Sequence, residues 1–118
     1  MNTLKRNKEI IHRRNAGEKF VDLAKEYEVS IRAISVIYYG FEYLVDRPVY
    51  ELVADMDFSD QIAAKLVNAL CWYEAAKGID LDADFLKTMD RQELAKQRGV
   101  GRAVMDAFDQ LQEAARNE

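Results

Sequence analysis

The sequence predicts an all-α fold, and three observations support this class. One proline and five glycines in 118 residues leave long stretches free of helix breakers. Ala, Leu, Lys, Glu, Gln and Arg dominate those stretches, and these residues lose little conformational freedom when they enter a helix. No segment of useful length alternates apolar and polar residues with the period of a strand. A composition that is 49% hydrophobic and 32% charged is typical of a globular chain.

The first part of the chain contains three predicted helices. A short helix with a basic face is expected over 3–14, and it ends near Gly17, which can take the left-handed conformation that a turn needs. A second amphipathic helix is expected over 18–27. The third begins after Ser30, a favourable N-cap residue, and ends at Gly40, a favourable C-terminal residue.

Five further helices are expected in the second part of the chain. The segment 41–47 comes first and is rich in apolar side chains, so we expect it to pack between the two halves or to form a short extended piece. Pro48 suits the first turn of the next helix. The predicted helices are 48–54, a long helix between Ser59 and Gly78, 84–89, one that starts at Asp90, and 101–115.

A twenty-residue pattern that starts at Phe20 meets the packing needs of two crossing helices. Its fifth position must be small and is Ala24. Its ninth position, Glu28, often needs a positive φ, which costs a residue other than glycine about 1 kcal/mol. The pattern resembles the helix-turn-helix of bacterial and phage regulators and of resolvase-type recombinases. The apolar positions of the pattern are Phe20, Leu23, Tyr27, Val29, Ile34 and Ile37.

This resemblance implies that the helix over 30–39 lies in the major groove of DNA. Arg32 is expected to make a bidentate contact with guanine, and the basic residues Arg13 and Arg14 are expected to touch the phosphate backbone. The alternative is a plain α-hairpin on which Arg32 is only solvated. The other outward residues, which are expected to meet phosphates, base edges or thymine methyl groups, are Ser30, Ile31, Ser35, Val36 and Tyr39.

A second motif lies near the C-terminus, where a glycine hairpin joins two helices in the manner of a helix-hairpin-helix. Free amide groups at the start of the second helix favour a phosphate. The wider segment, 50–111, resembles the C-terminal domain of the bacterial RNA polymerase alpha subunit. That resemblance implies minor-groove binding and contacts with other transcription proteins. The alternative is a structural connector in a five-helix core. The implied contacts are Arg98, Gly99, Gly101 and Arg102.

The net charge of −4 is unevenly distributed along the chain. Residues 1–47 hold nine Lys and Arg against seven Asp and Glu, a balance of +2, whereas residues 48–118 hold eight against fourteen, a balance of −6. The first segment can approach phosphates and the second mostly repels them. We expect these segments to be two domains, a helix-turn-helix domain with a hydrophobic connector and a helical domain similar to that of the polymerase subunit.

The remaining chemically distinctive residues give no sign of a catalytic or metal centre. His12 is expected to be a solvated surface residue without a partner, Cys71 an inert core thiol and Trp72 a packing side chain. No nucleotide-phosphate loop, pair of metal ligands or nucleophile motif is present, so we expect no enzyme activity and no cofactor. The chain also lacks a signal peptide and a membrane-spanning run, which predicts a soluble cytoplasmic protein.

These features predict a sequence-specific DNA-binding regulator of transcription, of the kind that phages and mobile elements carry, with double-stranded DNA as its partner. The alternative is a transcription-associated interaction module that binds RNA polymerase or a regulator through its acidic half. A homodimer is also expected, because helix-turn-helix proteins usually pair. The aromatic residues available either for that contact or for a seam between the domains are Tyr38, Tyr39, Phe41 and Tyr43.

Overall fold

The computed structural model describes residues 3–117, which form helices and contain no strand. The predicted all-α class is therefore confirmed. The chain divides into two compact units, Met1–Asp46 (unit 1) and Arg47–Glu118 (unit 2). The outer ends of the two predicted domains, residues 1–2 and 118, lie outside the described residues.

Unit 1 contains three helices that pack on one another: α1 (Thr3–Asn15), α2 (Phe20–Tyr27) and α3 (Ile31–Phe41). Gly17 has a φ of +108°, as predicted, and closes the turn between α1 and α2. The three helices pack around a shared apolar core, which stabilises the unit. Its fully buried side chains include Ile10, Ile11, Leu23 and Ile34.

The link between α2 and α3 is short and defined by two caps. Glu28 ends α2 in the left-handed conformation with a φ of 57°, the conformation expected at this position, at a cost of about 1 kcal/mol. The N–H of Val29 donates to the carbonyl of Ala24 at 3.0 Å. Ser30 then caps α3, because its hydroxyl oxygen accepts a hydrogen bond from the N–H of Ala33 at 3.0 Å. The predicted N-cap is therefore confirmed.

The end of α3 differs from the prediction. The helix continues past Gly40 to Phe41, because Gly40 does not take the left-handed conformation that ends a helix. The extended piece expected over 41–47 is also wrong, since residues 42–46 form turns. In those turns the N–H groups of Leu44 and Val45 donate to the carbonyl of Phe41 at 2.9 and 3.2 Å.

Unit 2 contains five helices: α4 (Pro48–Ala54), α5 (Asp60–Lys77), α6 (Ala83–Thr88), α7 (Arg91–Ala95) and α8 (Arg102–Arg116). Helices α5 and α8 form the central pair. Helices α4 and α7 pack on α5, and helices α6 and α7 pack on α8. The core between them includes Tyr50, Leu66, Leu70, Phe108 and Leu111.

Local capping groups explain most of these boundaries. Gly78 ends α5 with a φ of +66°, and Asp90 caps α7 by accepting a hydrogen bond from the N–H of Gln92 at 2.9 Å. Asp82 caps α6 through the N–H of Phe85 at 2.8 Å, so this helix starts one residue earlier than predicted. Ser59 precedes α5 as expected but its side chain makes no capping hydrogen bond.

A buried carboxylate, Glu74, holds the loop that follows α5. Its Oε2 accepts a hydrogen bond from the backbone N–H of Leu81 at 2.7 Å, and its Oε1 lies 3.4 Å from Nη1 of Arg47. Only 1% of the Glu74 side chain is exposed. Burial raises the pKa of the half-buried Cys71 thiol to about 11, and the Glu74 carboxylate adds to this effect. The thiol is therefore protonated at neutral pH.

Candidate nucleic-acid interface

Helix α3 has one buried face and one exposed face. Ile34 and Ile37 are buried, and α3 packs on α1 and α2. Three apolar side chains on the exposed face, Ile31, Val36 and Tyr39, are 51%, 63% and 65% exposed. The remaining outward residues are Ser30 and Arg32, which are exposed, and Ser35, which is half-buried. All six predicted outward positions thus lie on one side of this helix or at its N-cap.

The exposed face of α3 carries little charge. Arg32 is its only cation among the described residues, and no ion pair engages its guanidinium group. Lys19, the N-cap residue of α2, and Lys25 on α2 are exposed and likewise form no ion pair within residues 3–117. Arg32, Lys19 and Lys25 are therefore available to an external anion.

Arg13, a predicted backbone contact, is instead engaged by partners within unit 1. Its Nε and Nη2 donate to the two carboxylate oxygens of Glu18 at 2.6 Å each. Nη2 also donates to Glu26, and Nη1 donates to the hydroxyl of Tyr27 at 3.2 Å. The hydrogen bonds that Arg13 donates to Glu18 and Glu26 raise the pKa of Arg13. The residue joins α1 to α2.

Arg14 and His12 also have internal partners. The guanidinium of Arg14 lies over the ring of Phe20, with 4.5 Å from its Cζ to the ring centroid, and Nη1 donates to the Glu18 carbonyl at 3.1 Å. The prediction that His12 has no partner is wrong, because its Nε2 lies 2.8 Å from Oδ1 of Asp46. The contact of His12 with Asp46 joins residues 34 positions apart, which local periodicity does not connect.

The aromatic residues of α3 are not equally exposed. Tyr38 is half-buried, packs edge-on against Phe20 at a centroid distance of 5.8 Å, and donates its hydroxyl to Oδ1 of Asn15 at 2.7 Å. Tyr39 and Tyr43, by contrast, are 65% and 81% exposed. Tyr38 therefore stabilises unit 1, whereas Tyr39 on α3 and Tyr43 in the turns after it offer exposed aromatic surface to a partner.

We expect unit 1 to lose stability in acid through Glu18. The hydrogen bond from Arg13 lowers the pKa of this carboxyl below its usual value of about 4.3. A carboxyl with a lowered pKa stabilises the folded state above its unfolded pKa, and this contribution is lost as the pH falls through the folded value. Amide hydrogen exchange of α1–α3, measured between about pH 6 and pH 3, should show this loss. Glu18→Gln should show a shallower dependence.

The matched control for this experiment is Asp22→Asn, which removes an exposed carboxyl of α2 that has no side-chain partner in the described part of the chain. Its pH dependence should follow that of the wild type. If Glu18→Gln also followed the wild type, the Arg13–Glu18 pair would not contribute to stability.

The hairpin between α7 and α8 has an open backbone that faces solvent. Gly99 has a φ of +86°, which favours glycine, and the N–H of Val100 donates to the carbonyl of Gln97 at 3.3 Å. Gly101 is the N-cap of α8 and offers no side-chain cap, so the amide groups of the first turn lack a side-chain acceptor. The flanking residues Arg98 and Arg102 are exposed.

Trp72 lies beside this hairpin and is not a packing residue, contrary to the prediction. Its side chain is 71% exposed. A cavity of about 270 Å³ is lined by Lys65, Asn68 and Trp72 from α5 and by Arg98 and Gly99 from the hairpin. Another cavity, of about 340 Å³, shares Trp72 and Arg98. A helical spacing of i, i+3 and i+7 places Lys65, Asn68 and Trp72 on one face, and this signal was available in the sequence.

Cations at the hairpin differ from the other cations of unit 2. Arg91, for example, forms a bidentate pair with Asp109 at 3.0 and 3.1 Å. The other paired cations are Arg47 with Glu74, Lys87 with Asp84, and Lys96 with Glu93. Within residues 47–117, the cations without an ion pair are Lys65, Lys77, Arg98, Arg102 and Arg116, and the guanidinium of Arg116 donates to the carbonyl of Lys87 at 2.9 Å. An acidic unit thus carries local positive charge around its hairpin.

Among residues 3–117, no group of three or more His, Cys, Asp or Glu side chains could hold a metal ion. No helix in this range combines the length and the apolar character that crossing a membrane requires. In comparisons with protein-family models, curated proteins and solved structures, none matches this chain at a significant level. The candidate interface rests on the chemistry of its own residues.

Proposed function

We propose that unit 1 is a helix-turn-helix domain that binds double-stranded DNA through α3 and that the protein regulates transcription. The observation that carries this proposal is the division of α3 into a buried face and an exposed face. The exposed face holds all the side chains that the helix-turn-helix pattern assigns to base edges. The major groove, which is about 12 Å wide, admits one α-helix of this kind.

Each exposed side chain of α3 offers a different contact. The guanidinium fork of Arg32 matches O6 and N7 of guanine, and Ile31 and Val36 suit thymine methyl groups. The hydroxyl oxygen of Ser30 accepts from the helix, so its O–H is free to donate to a phosphate. One arginine among apolar and hydroxyl groups gives modest affinity and a preference for particular base pairs.

Phosphate contacts in this proposal come from residues other than Arg13 and Arg14. The guanidinium groups of those two arginines are engaged within unit 1. Lys19 and Lys25 are exposed, lack ion pairs in the described residues and belong to the N-terminus and body of α2. In helix-turn-helix complexes the first helix of the motif crosses the DNA backbone, which suits lysines at these positions.

Unit 2 supplies a second contact to DNA in this proposal. The amide groups in the first turn of α8, a helix of 15 residues, lack a side-chain acceptor and can bind an anion. Arg98 and Arg102 add unpaired positive charge beside them. A phosphate held there, together with minor-groove contacts from Gly99 and Gly101, would supplement the modest affinity of α3. This arrangement corresponds to the helix-hairpin-helix function that the sequence predicts.

A second candidate function is favoured by the charge of unit 2. Residues 48–118 carry a balance of −6, and α8 presents exposed carboxylates such as Asp106 and Glu113. Such a surface would attract a basic surface on RNA polymerase or on another transcription protein. In that case the protein would act as a transcription-associated interaction module with little affinity for DNA.

A salt series distinguishes the two functions. Fluorescence anisotropy of labelled random duplex DNA should show binding that weakens as salt rises, because each phosphate contact releases counterions. At about −0.9 per phosphate contact, the four proposed contacts, Lys19, Lys25, Arg98 and Arg102, predict a slope of about −3.6 for log K against log salt. Replacing both Arg98 and Arg102 by alanine should make the slope of the full chain shallower, whereas Lys77→Ala, the control, should not change it. Absence of binding at low salt would contradict the proposal and leave the interaction module.

A further inference from the structure

We propose that the surface formed by Lys65, Asn68, Trp72, Arg98 and Gly99, here called the Trp72 cleft, binds an unpaired nucleotide of single-stranded DNA. In this complex a base stacks on the indole of Trp72, and the adjacent phosphates meet the two cations. The activity goes beyond the proposed function, in which α3 and the hairpin contact duplex DNA.

The exposure of Trp72 is the first reason. An indole ring that is 71% exposed contributes little to the core of unit 2, and water contacts apolar surface that a partner would bury. A base can stack on such a ring whatever its identity, because every base has a π-face. Bases in a duplex already stack on one another, so an exposed indole selects a base that is unpaired.

Charge around the indole is the second reason. Lys65 and Arg98 line the same cavity as Trp72, and neither forms an ion pair in the described residues, although unit 2 is acidic as a whole. Asn68 adds an amide that both donates and accepts hydrogen bonds, as the edge of a base requires. An acidic peptide would satisfy the cations but would leave the flat ring and this amide without a matching group. A nucleotide combines a flat ring and a phosphate in one unit.

Rigidity of the cleft is the third reason. The side-chain amide of Gln97 donates to the carbonyl of Ala69 at 2.9 Å and holds the hairpin against α5. Arg98 therefore lies in a fixed segment between that anchor and Gly99. A Cβ atom built on Gly99 would meet nothing within 4 Å, so this side of the cleft is open. Cavities of about 270 and 340 Å³ lie at the lower end of the range for small-ligand sites and suit one nucleotide.

The experiment uses a reporter that the protein already contains, because Trp72 is its single tryptophan. Titration of the full chain with an oligodeoxythymidylate of roughly ten nucleotides should quench the Trp72 fluorescence in a saturable, salt-sensitive manner. Lys65→Ala and Arg98→Ala should each weaken this binding several-fold. Lys77→Ala removes an exposed, unpaired lysine from the same helix outside the cleft, and it should bind as the wild type does.

By anisotropy of a labelled oligonucleotide, Trp72→Ala should bind tenfold or more weakly, and Trp72→Phe should retain most of the affinity.

Four results would overturn the proposal. The first is an absence of quenching, the second is equal quenching by a fully paired hairpin duplex, and the third is quenching by a glutamate-rich peptide but not by the oligonucleotide. Equal losses in Lys65→Ala and Lys77→Ala would also overturn it, because they would show general attraction to the phosphates. Arg32→Ala should leave the quenching unchanged. If quenching persists while duplex binding fails, the proposed function in duplex recognition is wrong and the role of the Trp72 cleft stands.

Discussion

Replacing Arg32 by alanine should reduce the preference of the protein for its best duplex over random duplex DNA by roughly five- to one-hundred-fold. The best duplex is the one that repeated selection from random sequences enriches. A bidentate contact with guanine accounts for this magnitude, and Arg32 is the only cation on the exposed face of α3 in the described residues. Competition binding with the selected and random duplexes measures the effect, which should be confined to one base pair of the site.

The matched variant is Arg32→Lys, which keeps the charge but removes the planar fork of the guanidinium. It should lose the preference for the selected duplex and keep the wild-type affinity for random DNA. If Arg32→Ala weakened binding to both duplexes equally and Arg32→Lys restored it, Arg32 would be a phosphate contact. That result would contradict base recognition by this side chain.

Replacing Glu74 by alanine should destabilise unit 2 by about 3 kcal/mol. The change leaves the N–H of Leu81 without its acceptor, and Leu81 is fully buried. It also removes the carboxylate that pairs with Arg47 at 3.4 Å. Amide hydrogen exchange of α5 and α8 measures the effect in unit 2.

Two controls define the cause of that loss. Glu113→Ala removes an exposed carboxylate of α8 and should change the stability by less than about 0.5 kcal/mol. Glu74→Gln keeps an oxygen that can accept from Leu81, so its effect should lie between those of the two alanine variants. A loss in Glu74→Ala no larger than in Glu113→Ala would show that the buried carboxylate does not hold the loop.

Features that depend on a few neighbouring residues could be predicted from the sequence. Ser30 caps α3 and Asp90 caps α7, because a capping side chain reaches only the next turn of its own chain. The positive φ of Glu28 follows from the spacing of the two helices. Periodicity also placed the outward residues of α3 correctly, since a helix with one apolar stripe leaves the opposite side to solvent.

Features that depend on distant partners could not be predicted in the same way. Arg13 meets Glu26 and His12 meets Asp46, and these pairs are 13 and 34 residues apart in the sequence. Spacing shows which residues share a face of a helix but does not show which face a second helix covers. The predicted role of Arg13 therefore ignored the carboxylates that α2 and the preceding turn bring to it.

Gly40 and Trp72 show a different limit of sequence reasoning. Glycine permits the left-handed conformation but does not require it, so Gly40 remains in α3. Trp72 is apolar, so residue type alone predicts that it is buried. Lys65 and Asn68, seven and four residues before it, lie on the same exposed face of α5 and are polar. The exposure of Trp72 follows from its position on the helix, so the prediction made from residue type alone was wrong.

The state of Cys71 limits how two copies of this chain can associate. With a pKa of about 11, roughly one thiol in a thousand is a thiolate at pH 8, and thiolate is the form that reacts with oxidants and disulfides. Cys71 is also the single cysteine of the sequence and is half-buried. A disulfide through Cys71 would therefore form slowly at this pH, which favours reversible, concentration-dependent contacts in any pair of copies.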